Sequence, residues 1–376
     1  MPLLRTIRDD LRSVNLKGRL SLLLAMLLCS CAQVRITVPL PLPGGNVEEL
    51  AVTVVGDKAP NPLKVAEVLR GERAEANAAW WGFDPDNATE ALQSAIRSGA
   101  SVVLVPDMGR PWLVDPLFLE GNQELVFAKG TVVEARPGSF TGGGDCLFTI
   151  HGQEKVTLRG YGAIWRMRKP DYESSPYRKA EWRHTLSLRS ARDIRVLGLR
   201  LESSGGDGIY LGRLTKTGSL PYCENVLIRD VVLSNHYRQG ISIVSARHLR
   251  VENCLLTGTR GTPPQAGIDF EPNRNDESLM DCLLRGCLIE KNAGAGILIF
   301  LKQLSGASAP VSIRVESSIV RNNFFQLWLT SGGGKPKGTI LFQGSDISWP
   351  RFIRSVPGLE VSFPPAANPT PLLEER

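Results

Sequence analysis

A motif recurs in this chain about every thirty residues, and that repeat restricts the fold more than any other feature. The segments Leu227–Asn235, Arg250–Thr257, Leu284–Asn292 and Arg314–Asn322 align with one another, and Arg195–Leu201 aligns more weakly. Each is followed by a second short strand that opens on Gly-Ile or a relative: Gly208-Ile209-Tyr210-Leu211, Gly240-Ile241-Ser242-Ile243, Gly267-Ile268-Asp269-Phe270, Gly296-Ile297-Leu298-Ile299 and Gln326-Leu327-Trp328-Leu329. The inward positions 209, 241, 268, 297 and 327 step by 32, 27, 29 and 30 residues. Short alternating strands at such a period predict a solenoid of β-coils. Each coil then lies in register on the last, so inward residues stack into aliphatic columns about 4.8 Å apart. Cys254 and Cys287 fall in one column. Asn235, Asn292 and Asn322 are read at one turn position, where an amide can bond the neighbouring coil.

Repetition also accommodates 376 residues in one elongated domain, a length beyond one ordinary core. With 42% hydrophobic and 22% charged residues, neither disorder nor a multi-span membrane protein is tenable. The 37 glycines favour turns over long helices. Cys146, Cys223, Cys254, Cys282 and Cys287 form an odd set with no CxxC and no His at ligand spacing, so free core thiols are expected and no metal site.

The boundaries follow from changes in pattern. In residues 1–30, Arg5, Arg8, Arg12, Lys17 and Arg19 precede an apolar run, Leu20 to Leu28, that is too short to span a bilayer and reads as a signal-peptide core. Leu28-Cys29-Ser30-Cys31 resembles the bacterial lipobox, which implies lipidation at Cys31. The expected location is then the bacterial cell envelope, periplasm or cell surface, with membrane contact only through a lipid anchor. That segment holds half of the +6 net charge, so nucleic acid is not expected as a partner. Residues 31–75, with Pro39-Leu40-Pro41-Leu42-Pro43-Gly44-Gly45, read as a tether. Residues 76–345 form the repeat domain, and 346–376 a C-terminal cap and Pro-rich tail. A short helix is predicted after Asn87 as N-cap, with Glu90 three residues on, Leu92 and Ile96 on one face and Gly99 ending it. The strand Val102–Val105 follows.

Over roughly 76–345 the chain resembles the right-handed parallel β-helix proteins of the pectate-lyase-like superfamily. The run Gly82-Phe83-Asp84-Pro85-Asp86-Asn87-Ala88-Thr89 looks like that family's N-terminal cap, and Gly206-Asp207-Gly208-Ile209 and Gly267-Ile268-Asp269 look like its repeats. The resemblance implies an all-β fold, a single-stranded right-handed parallel β-helix with a short N-terminal capping helix. It also implies bacterial carbohydrate processing, without naming the sugar.

Strand alternation places Tyr210, Ser242, Asp269, Leu298 and Trp328 in one outward column, and Gly212, Val244, Glu271, Phe300 and Thr330 in the next. Carboxylates flanked by aromatic rings suit a sugar groove, the rings covering apolar sugar faces while the acids move protons. Asp269 and Glu271 have Cα atoms about 6.6 Å apart by strand rise. That value lies above the carboxylate separations of retaining enzymes (about 5 to 5.5 Å) and at the lower edge of inverting ones (about 6.5 to 9.5 Å), so spacing alone does not decide the stereochemistry. The leading expectation is a glycoside hydrolase acting on an extracellular polysaccharide through Asp269 and Glu271, with Asp207 in support and no cofactor. Tyr210, His236, Arg238, Asn273, Phe300, Lys302 and Trp328 are the expected substrate contacts. The alternative is a polysaccharide lyase or uronate epimerase, which would call for Ca²⁺ and a base from Arg238, Lys302 or His236. The Asp-Pro-His-Glu motif of mannuronan epimerases and the paired aspartates of polygalacturonases are both missing. A second alternative is a non-catalytic glycan-binding or adhesive β-helix. Residues 166–184 interrupt the coils with basic residues and interleaved Tyr172, Tyr177 and Trp182, an insertion suited to an acidic glycan or to packing on the stack.

Overall fold

The computed structural model describes residues 57–354 and 356–363, together with the strands Thr37–Pro41 and Val47–Ala51, which pair antiparallel. That hairpin belongs to a unit ending at Gly56, and the solenoid unit begins at Asp57. The expected export signal, the lipidation at Cys31 and the Pro-rich tail beyond 363 lie outside the described residues.

The tether expected over 31–75 is too long at its C-terminal end. Helix α1, Pro62–Leu69, is already part of the solenoid unit. Asn61 caps it by accepting the Lys64 N–H at 3.1 Å, and Val68 enters the core. Two helical turns carry too short a period to stand out in a Pro-rich stretch. Helix α2, Thr89–Arg97, buries Ala91, Leu92, Ala95 and Ile96, with Ala88 in the cap position. Asn87 acts one residue earlier than expected, accepting from the Thr89 N–H and hydroxyl. Glu90 accepts from Ser94 rather than reaching back to the cap. Gly99, at φ +82°, ends the helix in the left-handed conformation.

Three parallel sheets form the stack. The first has eleven strands, from Glu75–Asn77 to Leu359–Ser362. The second and third have nine each, from Trp112–Val114 to Asp346–Ile347 and from Leu117–Phe118 to Arg351–Ile353. Each aligned sequence segment is therefore two strands rather than one. The chain leaves the first sheet at Arg229, turns on Asp230 at φ 58°, and enters the second sheet at Val232. The same two-residue corner recurs at 198–199, 253–254, 286–287, 317–318 and 344–345. Asp, Asn, Ser or Gly leads each one, the types that tolerate positive φ best. The coils also continue past 345, since Asp346–Ile347, Arg351–Ile353 and Leu359–Ser362 extend all three sheets.

The predicted inward column is observed. Ile209, Ile241, Ile268, Ile297 and Leu327 pair in sequence across the third sheet, all with zero exposure. Each such side chain contributes about 1.5–3 kcal/mol by burial. Trp165 stacks on Phe148 at 4.0 Å in the lower coils, where the interior is aromatic. All five described cysteines are free and buried, and Cys254 and Cys287 sit on consecutive coils. The asparagine column needs a correction. Asn235 and Asn322 are left-handed corner residues, while Asn292 stands one place further on and turns inward. It pairs with Asn323, donating to its side-chain oxygen at 2.8 Å, and accepts the Thr259 N–H at 3.0 Å. Among the described residues no helix is long and apolar enough to cross a membrane.

Candidate functional site on the third sheet

The outward column also follows prediction: Tyr210, Ser242, Asp269, Leu298 and Trp328 pair in register. A second outward column precedes it. Gly208 faces the core, where a Cβ would come within 2.7 Å of Leu233 and 2.6 Å of the Gly240 carbonyl. Gly240 likewise faces core Leu256. Two successive inward positions form a bulge, which returns the preceding residue, Asp207 or Gln239, to the outer face. Ala266 and Ala295 occupy that place on the next coils and pack with Leu298, Phe300 and Phe325 as an outer apolar cluster.

Asp207, Asp269, Glu271 and Arg238 come together. The Arg238 guanidinium lies 3.9 Å from Asp207 Oδ1, 3.5 Å from Glu271 Oε2 and 3.7 Å from Glu181 Oε1. Asp207 and Asp269 are fully buried beneath it, whereas the Glu271 side chain is 29% exposed. Gln239, on the coil between them, donates to Asp269 Oδ2 at 2.6 Å. Among the described residues, Asp269 Oδ1, both Asp207 carboxylate oxygens and Gln239 Oε1 have no hydrogen-bond partner. Burial pushes Asp269 well above the ordinary carboxylate range, and the Glu271 charge adds to it against Arg238 and the Gln239 bond. Burial likewise pushes Asp207 up to about 7, against the attraction of Arg238. Asp269 is thus pushed toward its protonated form two residues from Glu271, which faces a guanidinium.

His184 completes the lower edge. Its Nδ1 accepts the Asp207 N–H at 3.1 Å, and its ring stacks on Tyr210 at 4.8 Å. Burial holds His184 well below the usual imidazole range, so it is neutral. Tyr210 is thereby sandwiched, with the Arg189 guanidinium 4.5 Å from its ring. Above the acids, Phe325, Trp328 and Phe352 form an edge-to-face row at 5.4 and 5.5 Å, with Trp328 39% exposed.

Other expected contacts fall elsewhere. His236 does not project between the acids. It is buried at the inward turn position, bonds Ser204 Oγ through Nδ1 at 2.9 Å, and is pushed by burial down to about 3. Asn273 is exposed in the loop after Glu271, its N–H donated to Glu277. Lys302 is exposed on the loop after Phe300, and Phe300 packs on the outer apolar cluster. The 166–184 insertion packs on the stack, and much of its charge is engaged. Arg166 and Arg168 pair with Glu134, Glu202 and Asp171. Arg183 is buried over the Tyr172 ring, donating to the Phe140 and Arg178 carbonyls. Trp182 is exposed.

Sequence reading missed His184, Gln239, Arg189 and Glu181. Aligning Leu186 with Ile209, one coil down, places His184 beside Asp207, and Gln239 repeats the place of Asp207 before Gly-Ile. Both signals were present in the spacing.

A family model described as the right handed beta helix region matches residues 180–347. The fold is a right-handed parallel β-helix. No curated protein matches its sequence. Among solved structures, the N-terminal fragment of the bacteriophage phi29 gene product 12 matches this β-helix at 14% identity and a TM-score of 0.50, over 72% of this chain and 52% of that one. PfbA, a surface adhesin of Streptococcus pneumoniae, matches at 11% identity and 0.49, over 72% and 78%. An iota-carrageenase from A. fortis matches at 12% and 0.48, over 73% and 62%. At these identities the likeness is one of fold.

Proposed function

We propose that this β-helix is a carbohydrate-active enzyme that hydrolyses glycosidic bonds of an extracellular polysaccharide on the outer face of its third sheet. The observation that carries the reading is a fully buried Asp269 whose carboxyl is pushed toward its protonated form and whose Oδ1 has no partner among the described residues, two residues from the partly exposed Glu271 and one coil below the apolar cluster that leads to Trp328. Asp269 donates its proton to the leaving oxygen, and Glu271 serves as base or nucleophile. Asp207 holds a second proton close by. The Trp328 row supports sugar rings by stacking. Entry of a sugar requires the Arg238 side chain to swing aside, because it covers both buried carboxyls.

The lyase alternative is less well supported. His236 is buried and engaged, and Arg238 is committed to three carboxylates. Among the described residues no group of three His, Cys, Asp or Glu side chains is placed to hold a metal. The adhesive reading draws on the complete burial of Asp207 and Asp269 and on exposed Phe324 and Trp328. A polysaccharide panel read for reducing ends and for unsaturated products separates the three. Reducing ends alone support hydrolysis, ultraviolet-absorbing products support a lyase, and binding without turnover supports an adhesin. The export signal and Cys31 anchor complete the proposal. Palmitate labelling lost in Cys31→Ala tests them.

A further inference from the structure

On the same face, two coils below Gln239, lies Arg189. It has no carboxylate partner among the described residues, although most other arginines on the coils are ion-paired. Its guanidinium rests on the Tyr210 ring, and Tyr210 is held from below by His184. His151 occupies the same column one coil lower, is exposed, and bonds Ser187 Oγ through Nε2 at 3.0 Å. Gly212 fills the place above Arg189, where any Cβ would meet the Tyr210 ring at 2.6 Å. The Tyr210 ring therefore takes the space a side chain at 212 would fill, and this aromatic platform fixes the plane of the guanidinium.

A half-buried, stacked guanidinium with unused donors is an oxyanion receptor. We propose that Arg189 and His151 form an anion subsite, so that the saccharide this face takes carries a carboxylate or sulfate. This rests on the glycan reading above. Arg189 and Glu271 share a column three coils apart, about 14 Å at the spacing of paired strands. The anionic group recognised there therefore belongs to a sugar several units from the bond at Asp269. The arrangement makes the subsite a selector of chain composition rather than part of the acid–base machinery.

The test is calorimetric binding by the full chain of three probes: a uronic acid tetrasaccharide, its carboxyl-reduced counterpart and a sulfated neutral tetrasaccharide. Binding of either anionic probe with at least about tenfold preference over the reduced one, the scale of a charged hydrogen bond, is the expected result. The two anionic arms tell carboxylate from sulfate. Arg189→Met should abolish the preference and Arg189→Lys should keep part of it, with the β circular-dichroism signal unchanged. Arg229→Ala, on the first sheet, should bind as wild type does. Equal affinity for the reduced probe, no binding of either anionic probe, or an unchanged preference in folded Arg189→Met overturns the proposal. Selective binding without turnover overturns the hydrolase reading and leaves this subsite standing.

Discussion

The outer faces of the first and third sheets are built from the same coils in the same register, yet they treat charge in opposite ways. On the first sheet, acids and bases alternate across coils: Arg159 with Glu124, Arg229 with Glu252, and Arg285 with both Glu252 and Glu316. These pairs are partly exposed and matched. On the third sheet, Asp207 and Asp269 are fully buried, three carboxylates lie around Arg238, and several oxygens lack any partner. Matched exposed ladders serve solubility and add little stability, whereas unmatched buried acids are costly and persist where chemistry needs them. Under the proposed function, the difference separates a scaffold face from a working face.

The sharpest way to break that comparison is to neutralise the working face. Asp269→Asn or Glu271→Gln should lower reducing-end release by about 10²–10⁴-fold with folding intact, the range of general acid–base catalysis. Full activity in both would reduce the third face to another scaffold. The two faces share one interior, so Ile268→Ala should cost about 2–5 kcal/mol in denaturant unfolding, as a cavity among fixed columns. Asn292→Ala should cost about 1–3 kcal/mol by leaving the Thr259 N–H buried without its acceptor and by removing one of the two hydrogen bonds to the Asn323 oxygen.

Asp207 predicts an effect of pH. Its carboxyl is pushed up to about 7 in the fold, so the native state holds a proton that the unfolded chain releases near the ordinary value. Its contribution is complete below the unfolded value and is lost as pH rises through about 7. Stability should fall over that window, and Asp207→Asn should flatten the fall in urea titrations at several pH values. At the other extreme, Arg229→Ala on the first face should change stability by only about 0–1 kcal/mol, with salt reducing the effect. A larger loss there would erase the contrast between faces.

Much of this was legible in the chain because a solenoid converts sequence period directly into spatial neighbours. The aliphatic column from Ile209 to Leu327 and the outward column holding Asp269 follow from counting alone. What counting missed depends on local backbone. A left-handed residue such as Asp230 splits one apolar run into two strands, and a glycine bulge turns Asp207 and Gln239 outward. Burial of the acids was illegible for another reason. Arg238 and Glu181 cover them from loops, where no period constrains position.

The two-residue corner between the first and second sheets has a further consequence. From Leu197 onward its length does not change, whereas the connections bordering the third sheet on either side range widely, from 244–245 to 301–310 on one edge and from 322–324 to 258–265 on the other. One edge of the molecule therefore works as a hinge-free spine, and the opposite trough has walls of independent height at every coil. Exchanging a single wall segment would re-cut the trough locally and leave the stacking of its neighbours untouched, so new glycan preferences are reachable one loop at a time.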